Sequence, residues 1–332
     1  MAGVSATWVA DVLGEGFEAL TLPLGADEEG EVVATVVRHL PAPRRFWQRP
    51  RLLENVDVLY VHGWSDYFFQ RRLARFWTDR GARFFALDLR KYGRSLREWQ
   101  TPGYVTDLAT YDEDIRAALD ARGDSDGRRL ILLGHSTGGL VLSLWASRHP
   151  DEVAALVLNS PWLEFQLSAV ARTALSPMVE LRARWRPLDK IRITDHGFYS
   201  RAVEEAADPD DPVSIDADWR PASGFPVYAG WLDAILGGHN AVAKGLGITA
   251  PVCVMLSARS TLPVRWSDDL TRSDTVLYVE DVARASLRLG RTVTVERLDG
   301  ALHDVFLSHP AVRRDAYARL DRWIRGFAAS SD

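Results

Sequence analysis

Short apolar runs recur along this chain, and each gives way to a stretch of helical spacing. The runs are Val56 to Val61, Arg83 to Leu89, Leu130 to Leu133, Val153 to Leu158, Pro251 to Leu256 and Thr292 to Leu298. Runs this short and this continuously apolar predict strands buried on both faces of a parallel sheet. Between them, Phe68 to Arg80 (closed by Gly81), Tyr104 to Arg122 (followed by Gly123), Leu140 to Ala146, Val276 to Leu289 and Ala311 to Phe327 repeat apolar residues at helical intervals. Such alternation predicts an α/β fold, a mostly parallel central sheet with helices on both faces. Before the first buried run, Phe17 to Leu24 and Val32 to His39 flank the polar stretch Gly25 to Gly30, which predicts a hairpin at a sheet edge.

The alternation breaks after Val153 to Leu158. From Trp162 to about Pro226 the chain is helical or irregular, rich in proline and without a clear strand. It carries Trp162, Phe165, Leu167, Val170, Leu175, Met178, Leu181, Trp185 and Phe198. A disordered tether is poor in apolar groups, so this segment reads as a folded insertion.

Composition narrows the function classes. The 332 residues suffice for one large α/β domain with an insertion. The net charge is −5 with both signs dispersed and no basic groove, which argues against nucleic acid as a partner. Cys253 is the single cysteine, inside an apolar run, so it reads as a core thiol and no intrachain disulfide is possible. Met1 to Ala10 has no basic start followed by a long apolar stretch, and no apolar run is long enough to span a bilayer. The expectation is a soluble, cytoplasmic protein. Twelve tryptophans point to aromatic residues lining a pocket.

The chemistry centres on Gly134-His135-Ser136-Thr137-Gly138, a G-x-S-x-G sequence that closes a buried strand and opens an apolar helix. That setting is the one in which such a turn exposes a nucleophilic serine. A serine needs a base, and the base needs an orienting acid. His303 follows the strand Thr292 to Leu298, so it lies on a loop at the end of the sheet where open parallel sheets place their sites. His39, His149 and His309 sit at element ends, His196 and His239 near the insertion, and His62 beside Gly63, where it reads as a brace. The loop after Pro251 to Leu256 offers Asp268, Asp269 and Asp274 as acids, with Glu280 and Asp281 farther on inside a predicted helix. Two backbone amides are expected to hold a developing oxyanion. These are that of Thr137, after the serine, and that of Trp64, after the early core strand.

Val61-His62-Gly63-Trp64, Leu87 to Ser95 with its Tyr92-Gly93-Arg94-Ser95, Gly134 to Gly139 and Leu302-His303-Asp304 together resemble the α/β-hydrolase superfamily. Within it they are most similar to the monoacylglycerol lipase, lysophospholipase and serine aminopeptidase group. The resemblance implies an α/β-hydrolase core over residues 1–161 and 247–332 with an inserted helical cap over 162–246. It implies Ser136 as nucleophile, His303 as base and Trp64 and Thr137 as the oxyanion amides. The family's acid is an aspartate followed by a short apolar stretch and a helix, which here selects Asp274. This chain departs from the family in carrying Ser257-Ala258-Arg259-Ser260 where a Gly-x-x-Asp-like turn is usual.

The reading is therefore a serine hydrolase acting on a small-molecule carboxylic ester with an apolar acyl or aryl part, with no metal or organic cofactor. Trp162, Phe165, Trp185, Phe198 and Trp231 are expected to supply apolar walls to its pocket. An aminopeptidase of the same group would need cap carboxylates such as Glu164, Glu180, Glu204 or Glu205 to hold a substrate ammonium. A non-catalytic binding module of the same fold is the reading from another class, and intact Ser136 and His303 argue against it.

Overall fold

The computed structural model describes residues 7–47, 49–165, 179–191 and 196–329. Among them, nine strands form one sheet in the order β1-β2-β3-β5-β4-β6-β7-β10-β11. These are β1 (Val9–Ala10), β2 (Phe17–Asp27), β3 (Gly30–His39), β4 (Val56–Val61), β5 (Arg83–Asp88), β6 (Arg129–His135), β7 (Ala155–Asn159), β10 (Val252–Ser257) and β11 (Val293–Leu298). From β5 to β11 every pairing is parallel, while β1 to β3 form an antiparallel edge joined to β5. The hairpin is thus at the edge, as its alternation predicts. A second ribbon, β8 (Lys190–Ile191) with β9 (Val227–Tyr228), lies between β7 and β10 in the chain.

Period-two alternation sorts each buried run between two cores. Leu59, Val61, Leu130, Leu132, Leu156, Leu158, Val252 and Val254 face helices α2 (Tyr111–Asp120), α3 (Thr137–Arg148) and α6 (Val279–Ser286). Their neighbours Val58, Tyr60, Ile131, Leu133, Ala155, Val157, Cys253 and Met255 face α1 (Arg71–Thr78) and α7 (Pro310–Ala329). A strand that is apolar at every position is the consequence of helices on both faces.

Several helices begin later than their spacing predicts, each time because a carboxylate takes the amides that would have started them. Asp88 accepts from Phe68 N–H, so α1 starts at Arg71. Asp107 accepts from Ala109 N–H ahead of α2. Asp274 accepts from Val276 and Leu277 N–H, which delays α6 to Val279. Such side-chain bonds compete locally with helix.

Between β8 and β10, α4 (Phe198–Glu205) is followed by α5 (Ala229–Lys244). α5 packs on α3 so closely that a Cβ on Gly238 would lie 2.9 Å from Leu108 and 3.1 Å from Leu140. Although the resemblance puts it in the cap, this helix helps close the first core. Leu167, Val170, Leu175 and Met178 fall outside the described residues.

The start of α3 runs hard against the end of β4. A Cβ on Gly138 would stand 2.3 Å from the carbonyl oxygen of His62 and 2.4 Å from that of Val61. Both obstacles are backbone and cannot step aside, so Gly138→Ala is expected to cost about 3 kcal/mol or more. Urea unfolding checks this; an unchanged midpoint would contradict the packing described.

Candidate active site

Ser136 joins β6 to α3 with φ of 51° and ψ of −118°. An L-residue rarely adopts this backbone, and holding it costs about 1–3 kcal/mol. Four backbone hydrogen bonds hold it: Ser136 N–H donates to Asn159 O at 3.0 Å, and Ser136 O accepts from Trp162 N–H at 2.9 Å, Gly139 N–H at 3.0 Å and Leu140 N–H at 3.3 Å. Glycine is required around it. A Cβ on Gly134 would lie 2.7 Å from Gly138 O, and one on Gly139 would lie 2.6 Å from Pro161. Thr137, the first residue of α3, lies where the helix dipole is positive.

The loop after β4 runs against the serine. A Cβ on Gly63 would sit 3.0 Å from Ser136 Cβ, so the chain that carries Trp64 passes directly beside Ser136. His62 holds this loop. Its Nε2 accepts from Leu89 N–H at 3.1 Å, which leaves Nδ1 to donate to Gly63 O at 2.7 Å. Burial lowers its pKa, consistent with a neutral ring used at both nitrogens.

His303 lies on the loop after β11, and its Nδ1 is 2.9 Å from Asp274 Oδ2. The other oxygen of Asp274 accepts the Val276 and Leu277 amides at 2.8 Å each. The carboxylate is fully buried and fixed on both sides, and Nε2 of the imidazole is left for other work. The other acids considered are placed elsewhere. Asp269 pairs with Arg259 at the surface, Asp268 opens a 3-10 turn, and Glu280 pairs with exposed Arg297.

A second polar cluster lies beside this pair, and its members escape sequence reasoning. Asp304 accepts from Asn159 Nδ2 at 2.7 Å, Gln70 Nε2 at 2.6 Å and Phe306 N–H at 2.9 Å. Asn159 Oδ1 accepts Val305 N–H at 3.1 Å. Since the Asn159 carbonyl also holds Ser136, this one residue ties the serine turn to the histidine loop. Tyr199 OH accepts Asp304 N–H at 3.2 Å, and its ring meets that of His303 edge-on at 5.6 Å. The one signal in sequence was Asp304 itself, a charged residue beside the candidate base. His135 lies between Asp66, 3.6 Å from its Nδ1, and Asp304, 3.9 Å from its Nε2, with its ring 5.1 Å from that of His303. Burial alone would lower its pKa; Asp304 and Asp66 outweigh burial and raise it.

Of the expected wall residues, the structure gathers Trp162, Phe165 and Trp231. Trp162 meets Phe165 and Trp231 at 6.0 Å each, and Trp231 lies 3.7 Å from Trp64. Trp231 is 1 % exposed, so it backs Trp64 rather than facing an open cleft. Phe198 belongs to another group, stacked on His196 and edge-on to Trp266. Trp185 is not gathered with either and stands 74 % exposed. It lies in a helical stretch, 179–185, whose Leu181 is likewise exposed, so the expectation that it walls the pocket is corrected.

A family model described as serine aminopeptidase, S33, matches residues 55–220, half of the chain. The chain belongs to this family. A monoacylglycerol lipase of Mycolicibacterium smegmatis is 26 % identical over 257 residues, covering 75 % of this chain and 81 % of that protein. Among solved structures, a monoacylglycerol lipase of Paleococcus ferrophilus matches with TM-score 0.61 at 16 % identity, over 88 % of this chain and 98 % of the other. A soluble variant of monoglyceride lipase from Saccharomyces cerevisiae, solved with a substrate analogue, matches with TM-score 0.62 at 16 % identity, over 92 % and 96 %. The fold of this S33 family member is the α/β-hydrolase fold.

The charges around His135 set a pH dependence. The groups facing it are Asp66, Asp304, Arg220, His62 and His303. A histidine whose folded pKa is raised adds stability that is complete below its unfolded value, near 6.5, and fades as pH rises through the folded value. Asp66→Asn removes part of that gain. It should destabilise the protein more at pH about 5.5, below the unfolded value, than at about 8.5, where less of that gain remains. Urea unfolding at the two pH values tests this, and an equal loss at both would contradict it.

Proposed function

We propose that this S33 family member is a carboxylic ester hydrolase for substrates with an apolar acyl or aryl part. The observation that carries the reading is the buried His303–Asp274 pair presented at the same sheet end as the strained Ser136 turn. The monoacylglycerol lipase relative supports the substrate class.

In this mechanism Ser136 Oγ attacks the ester carbonyl and His303 Nε2 takes its proton. Asp274 holds Nδ1–H and balances the imidazolium. The Trp64 and Thr137 amides receive the oxyanion. His303 then gives its proton to the departing alcohol, and the same nitrogen draws a proton from the water that releases the acid. The aromatic group of Trp64, Trp162 and Phe165 gives an apolar acyl chain a place beside the serine. The cap reading is assigned to the stretch between β7 and β9, with α5 left to the core. A cytoplasmic setting completes the proposal. Cys253 is buried, with its thiol pushed well up by that burial, and among the described residues no helix is long and apolar enough to cross a membrane.

A second reading, aminopeptidase, draws on one observation. Asp233 on α5 has its pKa raised, by burial first and then by the charge of Glu180, and such a pair of like charges would welcome a substrate ammonium. Glu205, by contrast, is already paired with Arg201.

A fluorophosphonate probe should label the wild type, and Ser136→Ala should abolish labelling and lower turnover about 10³- to 10⁶-fold. Full labelling of that variant would remove Ser136 from its role. Asp274→Asn should keep the fold and lose up to about 10⁴-fold in kcat; near-full activity would mean another acid serves. On a chain-length series of p-nitrophenyl esters run beside aminoacyl anilides, medium or bulky acyl esters should lead. A preference for acetate would contradict the apolar site, and faster anilide cleavage would favour the aminopeptidase.

A further inference from the structure

The loop that carries Trp64 is held by a segment distant in sequence. Ser65, Asp66 and Tyr67 are consecutive, and each is bound by the strap of residues 208–225 from the inserted region. Phe225 N–H donates to Ser65 Oγ at 3.1 Å. Arg220 Nε stands 2.9 Å from Asp66 Oδ1. Asp216 N–H donates to Tyr67 OH at 2.8 Å. Ser65 needs such support, because its φ is 51°, a backbone that non-glycine residues resist.

Of the three ties, the ion pair is the unusual one. Arg220 and Asp66 are both more than nine-tenths buried as side chains. Buried charges of this kind contribute little net stability over apolar packing, yet removing one partner leaves the other costly and unpaired. The Arg220 guanidinium also lies 5.5 Å from the ring centres of Phe69 and Tyr199. Tyr199 in turn touches His303 and accepts from Asp304 N–H. One cation therefore lies between the loop expected to hold the oxyanion and the loop of the candidate base.

The strap has its own fastenings away from the site. Arg72 pairs with Asp211 at 2.8 Å and Asp208 at 3.4 Å, Arg71 donates to Pro212 O at 3.0 Å, and Arg313 on α7 pairs with Asp208. Loss of Arg220 leaves these in place, so its contribution is separable from holding the insertion down.

We propose that Arg220 is a positioning residue: from the inserted segment it fixes the loop at Asp66 and so sets the Trp64 amide against the oxyanion formed on Ser136. The proposal rests on the ester-hydrolase reading above. If it holds, loss of Arg220 weakens an interaction made in the transition state while the acyl-binding surface stays as it was. A displacement of the order of 1 Å in such a donor costs up to about 100-fold in rate.

The test compares wild type, Arg220→Met, Arg220→Lys and Asp66→Asn with p-nitrophenyl butyrate. Active sites are counted by fluorophosphonate titration, and an alkyl trifluoromethyl ketone serves as analogue of the tetrahedral adduct. Arg220→Met should lower kcat per titrated site about 10- to 100-fold with KM within about 3-fold. The inhibition constant of the ketone should rise by the factor lost in kcat/KM. Arg220→Lys should fall between, since it restores the charge without the planar fork, and it carries the test if the methionine variant does not fold. Adding Arg220→Met to Asp66→Asn should cost little more than either alone. Unchanged kcat in both Arg220 variants, or a rise in KM alone with unchanged ketone binding, would overturn the proposal and leave the ester-hydrolase reading intact. Absence of labelling and turnover in the wild type would overturn both.

Discussion

The backbone of Ser136 is the constraint on which the rest depends. A serine held at φ of 51° between a buried strand and a buried helix is possible only because three glycines leave room, each within 3 Å of backbone or of Pro161 if it bore a Cβ. The strain is met by bonds to Asn159, Trp162 and Gly139, so the turn is stiff. A stiff turn matters because reorganising an active site during the reaction raises the barrier, whereas one already in place does not.

Around that turn the polar groups form two linked sets. One is the direct pair of His303 and Asp274, with both carboxylate oxygens occupied. The other runs through Asn159, Asp304, Gln70, Tyr199, His135, Asp66 and Arg220, and it connects the serine turn, the histidine loop and the loop before α1. Buried polar groups are costly unless paired. The hydrogen bonds of Asn159, Gln70 and Tyr199 with Asp304 and the ion pair of Arg220 with Asp66 convert that cost into fixed relative positions for three loops that share no secondary structure.

What could be read from sequence follows from which forces are local. The alternation of Leu130 to Leu133 and its counterparts carries the sheet and its two cores, because burial on both faces leaves no polar position in a strand. The elbow at Ser136 and the loop position of His303 are legible because the chemistry needs those residue types in that order. Asp274 is selected by the resemblance; the residues alone left Asp268 and Asp269 open beside it, as an acidic pair that reads as a solvated turn. Helix starts are missed wherever a carboxylate captures the first amides, as at Asp88 and Asp274, since the acceptor's geometry is invisible in a hydropathy pattern. The ion pair of Asp66 with Arg220 and the role of Asn159 are illegible for a different reason. Their partners lie far apart in sequence, and each residue alone looks like ordinary surface or strand-end polarity. Trp185 marks the opposite failure: a large apolar side chain in an amphipathic-looking segment that the fold leaves facing water.

The most direct measurement is rapid acid quenching of the enzyme during turnover of a medium-chain p-nitrophenyl ester, followed by peptide mass mapping. If the strained turn presents the nucleophile, a burst of nitrophenol approaching one per chain should precede the steady rate. The acyl group should then be found on the peptide containing Ser136. Turnover with the acyl group on another residue, or sustained turnover with no burst and no acylated peptide, would contradict the account.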